Sequence, residues 1–331
     1  MSGQYYQIHG VGIEVNASAP DLARLVHQCL APYAAAAPAE PGIRFELRWE
    51  KRDWMVPTQA RRFLHYGALR AFALNGWLYF TDYLSYLIIH PGHQLVQGYI
   101  SEASLRENGE RVFVHLLFTV TLFEALRHQG LYFLHAAALE SPEQQGYLFV
   151  ANAYSGKTSI TLGLLQQGFR YLSDDTVFLR RTPAGIEVLP WARVFHVPNE
   201  LSRIYPELSL LAERPAAVPN HPKKEVRAEE CYPDRQTLRL LNPAWLFFPS
   251  LTAEPSSRLQ PLSSGEALPL LLPQSLAVMF DREHAADHLQ ALKLLLASAR
   301  SFRLFSGTDI KANPARLVAV LSQARAGRGA A

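Results

Sequence analysis

A buried-strand pattern leads directly into a phosphate-loop motif near the middle of the chain. Residues 147–150 are the apolar run Tyr-Leu-Phe-Val, and Ser155-Gly156-Lys157-Thr158 follows after a short interval, before an apolar-periodic stretch that predicts a helix. In such a loop, backbone N–H groups surround nucleotide phosphates, the lysine reaches the terminal phosphates and the threonine hydroxyl is a ligand of Mg²⁺. The order strand, loop, helix therefore predicts an α/β nucleotide-binding domain.

The loop departs from the pattern G-x-x-x-x-G-K-[ST] at its first position, which is Ala151. Alanine adopts positive φ at a cost of about 1 kcal/mol or more. The loop must therefore have a compatible backbone at Ala151, or it binds phosphate less well. Tyr154 either caps the nucleotide or packs within the protein. The residues predicted to bind the nucleotide are Ala151, Asn152, Ala153, Tyr154, Ser155, Gly156, Lys157, Thr158 and Ser159.

Composition narrows the class of protein. A chain of 331 residues with 49% hydrophobic and 18% charged residues has room for one large globular domain or two ordinary ones. The net charge of +3 is too small to indicate a nucleic-acid partner. No apolar run reaches the ~18 residues of a membrane span, and the start of the chain does not resemble a signal peptide. We therefore expect a cytoplasmic protein with neither a nucleic-acid nor a membrane partner.

The first part of the chain has the pattern of a small strand-rich domain. Residues 43–50 alternate between apolar and charged side chains, which predicts a half-buried strand. A helix is predicted at 20–30, and Asn75-Gly76 between two apolar runs predicts a hairpin turn. Further strands are predicted at 63–66, 70–74, 77–81 and 86–90. We assign residues 1–111 to an α+β N-terminal domain that is a candidate for acceptor recognition.

The remainder has the alternation of strands and helices that the phosphate-loop interpretation requires. We assign residues 112–325 to the nucleotide-binding domain and 326–331 to a disordered tail. Helices are predicted at 112–128, 157–167, 285–299 and 314–325, and strands at 131–139, 146–151, 169–172, 176–180 and 245–248.

Two further features carry candidate chemistry. Asp174-Asp175 follows a predicted strand, and phosphoryl transfer needs one carboxylate for the metal and often a second for the nucleophile. Alone, Ser173-Asp174-Asp175 also suits a solvated turn. His135 lies in the strand before the loop strand, where a hydrogen-bonded core residue is the alternative to a catalytic one.

Taken together, His135-Ala136, the loop from Ala151 to Thr158, and Asp174-Asp175 resemble the HPr kinase/phosphorylase-like P-loop kinases, especially their diverged bacterial HPr-kinase-related branch. The resemblance covers about residues 112–320 and is most specific in 131–180. It implies a fold similar to the nucleotide-binding core of phosphoenolpyruvate carboxykinase, with a mixed sheet flanked by helices. By the same resemblance, a homo-oligomer is an option.

The resemblance also implies roles for individual residues, with ATP and Mg²⁺ as cofactors. Lys157 would bind the β- and γ-phosphates, and Thr158 and Asp175 would hold the metal. Asp174 would receive the proton of the acceptor hydroxyl, and His135 would lie near the transferring phosphate. The glycine-rich signature that follows the acidic pair in true HPr kinases is missing, which argues against phosphorylase activity and against HPr itself as the substrate.

Basic residues farther along the chain are candidates for phosphate contacts. Arg193 is one, with a structural role as the alternative, and Lys224 and Arg227 in a proline-flanked loop are the others, with a solvated surface as the alternative. The resulting hypothesis is an ATP- and Mg²⁺-dependent P-loop kinase that phosphorylates a hydroxyl, most simply a serine of a small protein or modified peptide. The alternatives are a small-molecule kinase and a catalytically weak regulatory ATP-binding protein.

Overall fold

The structure is a computed structural model that describes residues 3–37, 40–53, 55–152, 155–191, 194–198, 201, 205–211, 223–279 and 282–326. The chain forms two compact units. The N-terminal unit comprises residues 1–132 with 277–286, and the C-terminal unit comprises residues 133–276 with 287–331. Both are built on mixed sheets with helices, which confirms the expected α/β class.

The N-terminal unit contains an eight-stranded mixed sheet in its described part. Its strands are β1 (Gln4–Ile8), β2 (Val11–Ala17), β3 (Ile43–Trp49), β4 (Arg61–Tyr66), β5 (Leu69–Leu74), β6 (Trp77–Thr81), β7 (Tyr86–Ile89) and β8 (Leu95–Ile100). Their order is β1-β2-β3-β8-β7-β6-β5-β4. The alternating pattern of β3 buries Ile43, Phe45 and Leu47. The predicted hairpin joins β5 to β6, with positive φ at both Asn75 and Gly76.

The helical elements of this unit include a π-helical segment that the sequence did not predict. They are α1 (Pro20–Leu30), a 3₁₀ turn (Ala31–Tyr33), α2 (Glu102–Glu107), α3 (Glu110–Val112), the π segment (Phe113–Phe118) and α4 (Thr119–Arg127). The ring of Phe118 packs 5.2 Å from that of Phe45. This contact with the core of the sheet explains why the helix predicted at 112–128 belongs to the N-terminal unit rather than to the one that follows.

The C-terminal unit is organised around a second mixed sheet. Its strands are β9 (Tyr132–Glu140), β10 (Gly146–Val150), β11 (Arg170–Ser173), β12 (Thr176–Thr182), β13 (Gly185–Pro190), β16 (Leu240–Leu241), β17 (Trp245–Leu251), β18 (Arg258–Leu262) and β19 (Arg300–Ser306). The order is β16-β13-β12-β9-β10-β17-β19-β18, and β11 also pairs with β9. A separate ribbon pairs β14 (Val194–Pro198) with β15 (Lys223–Arg227).

Aromatic side chains fill the core of this sheet. The rings of Phe149 and Phe247 lie on neighbouring strands 5.2 Å apart, and that of Phe302 continues the stack 5.7 Å from Phe247. The described helical elements that lie wholly in this unit are α5 (Lys157–Gln166), α6 (Ala228–Cys231), α7 (Ser264–Leu271), α9 (Thr308–Ala312), α10 (Arg316–Ala326) and a 3₁₀ segment at Pro206–Leu211. A 3₁₀ segment at Leu272–Met279 and helix α8 (Arg282–Ser298) lie partly in this unit and partly in residues 277–286 of the N-terminal unit.

The helix predictions at 157–167, 285–299 and 314–325 correspond to α5, α8 and α10. Ala326, which we assigned to a disordered tail, is the last residue of α10, and 327–331 lie outside the described residues. Among the described helices, none combines the length and the apolar composition that crossing a bilayer requires.

Candidate active site

The directions of β9, β10 and β11 bring the predicted site residues together at one end of these strands. β9 is antiparallel to β10, and Ala136 pairs with Val150, the last residue before the loop. The amino end of β9, with His135, therefore lies beside the loop. β11 is also antiparallel to β9, so its carboxyl end, followed by Asp174-Asp175, lies there too. The sequence predictions for β9, β10, α5 and β11 thus combine into one site.

The predicted phosphate loop turns through Gly156, which has φ +89° and ψ 8° immediately before α5. This is the left-handed region that favours glycine, and a methyl group there would lie 3.4 Å from Cδ2 of Leu251. Among the described residues of the loop, Gly156 alone has positive φ. The strain considered above for Ala151 is therefore absent, and alanine fits this backbone. Ala153 and Tyr154 lie outside the described residues.

Lys157 is a buried cation that holds the loop and His135 together. Lys157 is only 6% exposed. Its Nζ donates hydrogen bonds to the carbonyls of Ala151 (2.5 Å) and Asn152 (3.0 Å). Nζ also lies 2.9 Å from Nε2 of His135. Because an ammonium group can only donate, Nε2 is the acceptor and the proton of the neutral imidazole is on Nδ1.

That tautomer directs His135 towards the second aspartate. Nδ1 of His135 lies 3.5 Å from Oδ1 of Asp175. The Asp175 side chain is 56% exposed, and its Oδ2 accepts a 3.0 Å hydrogen bond from the Thr176 hydroxyl. Lys157, His135 and Asp175 therefore form a row that leads from the loop to solvent.

The first aspartate lies in a different environment. Asp174 is only 4% exposed, and its Oδ2 accepts a 3.3 Å hydrogen bond from the Thr158 hydroxyl. Its Oδ1 accepts a 3.4 Å hydrogen bond from the Tyr171 hydroxyl. Burial, followed by the negative charge of Asp174, raises the pKa of Tyr171 well above its usual value, which keeps this phenol protonated as a donor.

Two features of the site suit a nucleotide with its metal ion. The Thr158 hydroxyl and the Asp174 carboxylate present two hard oxygen atoms 3.3 Å apart. Neighbouring oxygens around octahedral Mg²⁺ are about 3 Å apart, because each lies about 2.1 Å from the ion. The Ser155 hydroxyl is buried and has no hydrogen-bond partner among the described residues. A phosphate oxygen would satisfy it.

The other predicted contacts are less closely tied to the loop. Ser159 is exposed, and its carbonyl accepts a 3.3 Å hydrogen bond from Tyr205. Lys224 and Arg227 lie on β15, where Nζ of Lys224 donates to the Leu211 carbonyl at 2.5 Å and Arg227 is exposed. Arg193 lies outside the described residues. Phosphate binding by Lys224 and Arg227 therefore remains a prediction.

One supporting residue escaped sequence analysis. Nε2 of Gln274 donates a 2.6 Å hydrogen bond to Oδ1 of Asn152, and Gln274 is 8% exposed. It fixes the side chain of a loop residue from a distant part of the chain. The available signal was a lone amide in the apolar run Leu-Leu-Leu-Pro-Gln-Ser-Leu, because a buried polar side chain in such a run needs a partner.

A separate cavity lies at the other end of α5. It has a volume of about 520 Å³ and is lined by residues that include Gln166, Tyr232 and Arg235. None of the predicted site residues lines it. The chemistry predicted from the sequence therefore lies at the loop end of the helix.

Comparisons with known proteins add little to this geometry. No protein-family model and no curated protein matches the sequence. Among solved structures, the chain is similar to the Hpr(Ser) kinase/phosphatase from Coxiella burnetii, with a TM-score of 0.35 and 10% sequence identity. The match covers 59% of this chain and 91% of that one. A likeness at this TM-score carries no functional weight, and the site itself must support any assignment.

Proposed function

We propose that this protein is an ATP- and Mg²⁺-dependent phosphotransferase that moves the γ-phosphoryl group to an acceptor hydroxyl. The observation that carries the proposal is the convergence of five side chains at the start of α5. Lys157, His135 and Asp175 are joined by distances of 2.9 and 3.5 Å, and Thr158 and Asp174 by 3.3 Å. Lys157, Thr158 and Asp174 suit the donor nucleotide and its metal ion. His135 and Asp175 lead from the lysine towards solvent.

The loop and the start of α5 would bind the phosphates. The first N–H groups of a helix have no intrahelical partner and carry partial positive charge, so they attract anions. Lys157 donates to two neutral carbonyls in this structure. A phosphate oxygen is a stronger acceptor for an ammonium group, because the hydrogen bond is charge-assisted. Binding would therefore transfer the lysine from the loop carbonyls to the nucleotide.

Thr158 and Asp174 would hold Mg²⁺, since their oxygens are at a separation that one octahedral ion can bridge. The ion would neutralise charge on the β- and γ-phosphates during transfer. The low exposure of Asp174 supports this role, because a buried carboxylate needs a compensating cation or donors. The resemblance assigned the metal to Asp175 instead, but the contact with Thr158 favours Asp174.

Asp175 would act on the acceptor side. Its carboxylate is exposed, and His135 Nδ1–H faces it, so the imidazole can hold it in position. An acceptor hydroxyl entering from solvent would meet this carboxylate, which can take its proton as the phosphoryl group arrives. The assignment reverses the roles that the resemblance gave to the two aspartates. The acceptor is a hydroxyl of a protein, a peptide or a small molecule.

The proposal is tested by following ADP formation from MgATP, with water and with panels of peptide and small-molecule acceptors. We expect ADP formation that requires Mg²⁺ and that, at sub-saturating Mg²⁺, falls about tenfold or more in Asp174→Asn. The matched control is Lys293→Ala, an exposed lysine of α8 in the same unit. Nucleotide binding without ADP formation under any condition, equal in wild type and Asp174→Asn, would instead favour the regulatory ATP-binding alternative.

A further inference from the structure

Strand β4 ends the sheet of the N-terminal unit and presents an open backbone edge. It pairs with β5 on one side, and no described segment pairs with its other side. The opposite edge, β1, is partly covered, because Tyr6 bridges to Ala34 and the Ala35 N–H donates to the Tyr5 carbonyl at 3.0 Å. Unpaired N–H and C=O groups along an edge strand are a template for another strand.

The register of β4 places positive charge on one face of this edge. Arg62 pairs with Phe72 and His65 pairs with Arg70, so the side chains of Arg62, His65 and Arg70 share a face. Partial desolvation, then the charges of Arg70 and Arg62, lowers the pKa of His65, in keeping with this proximity. Arg61 pairs with Ala73 and lies on the other face.

The charge on this edge is not balanced locally. The sequence contains no Asp or Glu from residue 54 to residue 81. Neither Arg61 nor Arg62 forms an ion pair with any residue that the structure describes. Tyr66, the last residue of β4, is 62% exposed and pairs with Leu69, on the face opposite Arg62. The edge therefore combines backbone hydrogen-bonding capacity, unpaired cations and an exposed aromatic side chain.

We propose that β4 binds an extended peptide segment with acidic residues at alternate positions, which adds to the sheet as a further strand. Main-chain hydrogen bonds would provide affinity, and alternate side chains would provide specificity. Acidic residues two positions apart point to the same face of a strand, so they would meet Arg62 and His65 together. A second copy of this chain suits the edge poorly, because pairing β4 with itself would gather four arginines on one ribbon.

The test uses the full chain without nucleotide, so its result is independent of the proposed phosphotransferase activity. The probe is a fluorescent peptide, Glu-Val-Glu-Val-Glu-Val-Glu, blocked at both ends and followed by fluorescence anisotropy. We expect saturable binding below about 1 mM that Arg62→Glu weakens about tenfold or more. Arg61→Glu has the same charge change on the other face and should weaken binding by no more than about twofold. Arg62→Gln, checked by circular dichroism, separates charge loss from misfolding.

Several results would overturn the proposal. These are absence of binding at 1 mM, equal weakening by Arg61→Glu and Arg62→Glu, and equal binding of a peptide with the same residues in the order Glu-Glu-Val-Val-Val-Glu-Glu. Tighter binding of a single-stranded oligonucleotide, with the same sensitivity to Arg62→Glu, would assign the patch to nucleic acid instead. Retained binding by a peptide whose backbone N–H groups are methylated would also exclude strand addition, because that peptide cannot donate to β4.

Discussion

Thr158 Oγ1 lies 3.3 Å from Oδ2 of Asp174, whereas the adjacent Asp175 faces His135 at 3.5 Å. The first aspartate is buried and the second is exposed. The two neighbouring carboxylates thus occupy different environments. Such a difference allows one carboxylate to bind a metal ion and the other to accept a proton.

The two aspartates should respond differently to removal of charge. Asp174→Asn should raise the Mg²⁺ concentration needed for half-maximal ADP formation about tenfold or more, because it removes a charged metal ligand. Asp175→Asn should lower the transfer rate about 100-fold while leaving the Mg²⁺ requirement near that of the wild type. Rates measured over a Mg²⁺ titration separate these effects. The reverse pattern would restore the roles that the resemblance implied.

Gly156→Ala should damage both folding and nucleotide binding. An added methyl group must adopt φ +89°, so we expect the free energy of unfolding to fall by about 1 kcal/mol or more. If the loop instead relaxes to relieve this strain, its N–H groups turn away from the phosphates and MgATP binding weakens. Urea unfolding and calorimetric titration measure the two effects. Wild-type values for both quantities would show that the turn at Gly156 is unimportant.

Ala151→Gly, by contrast, should not improve the loop. Because Ala151 already has a negative φ, glycine relieves no strain there. Glycine increases the conformational freedom of the unfolded chain, so we expect a loss of about 0.4–1 kcal/mol in stability. MgATP affinity should change by less than about twofold. A clear gain in affinity would mean that the loop binds phosphate in a backbone conformation different from this one.

Alkaline pH should destabilise the fold through its buried tyrosines. Burial raises the pKa of Tyr6 and of Tyr205 to about 12, whereas an unfolded tyrosine has a pKa of about 10. Above pH 10 the unfolded chain loses these protons before the folded chain does. The stabilising contribution is therefore complete below pH 10 and declines as the pH rises towards 12.

Urea unfolding at pH 8 and pH 11 measures this loss. Tyr205→Phe removes one of the titrating groups and should make the decline between the two values smaller. A free energy of unfolding that is equal at both values would contradict this explanation.

Much of the secondary structure was predictable because local patterns specify it. Strand β3 follows from the alternation of its side chains, and the Asn75-Gly76 hairpin follows from turn geometry. The start of α5 follows from the left-handed turn at Gly156 directly before it. The π-helical segment at Phe113–Phe118 was not predictable, because its apolar pattern is also that of an α-helix. Local sequence does not contain the packing contacts that select one over the other.

The sequence also could not predict which way the side chain of each aspartate points. The pairing of β11 with β9 shifts register between Tyr171 and Ser173, just before the acidic pair. A one-residue shift exchanges the faces on which successive side chains lie. Sequence spacing could therefore predict that Asp174 and Asp175 reach the loop, but not which one meets Thr158. Gln274 was missed for a related reason, since its partner Asn152 lies far away along the chain.

Calorimetric titration of MgATP into wild type and Lys157→Ala tests the central claim most directly. The claim is that residues 151–158 form a working phosphate loop despite alanine at its first position. We predict saturable binding to the wild type and to the control Lys293→Ala, with affinity at least about tenfold lower for Lys157→Ala. Equal affinity for wild type and Lys157→Ala, or no binding to the wild type at millimolar MgATP, would contradict it.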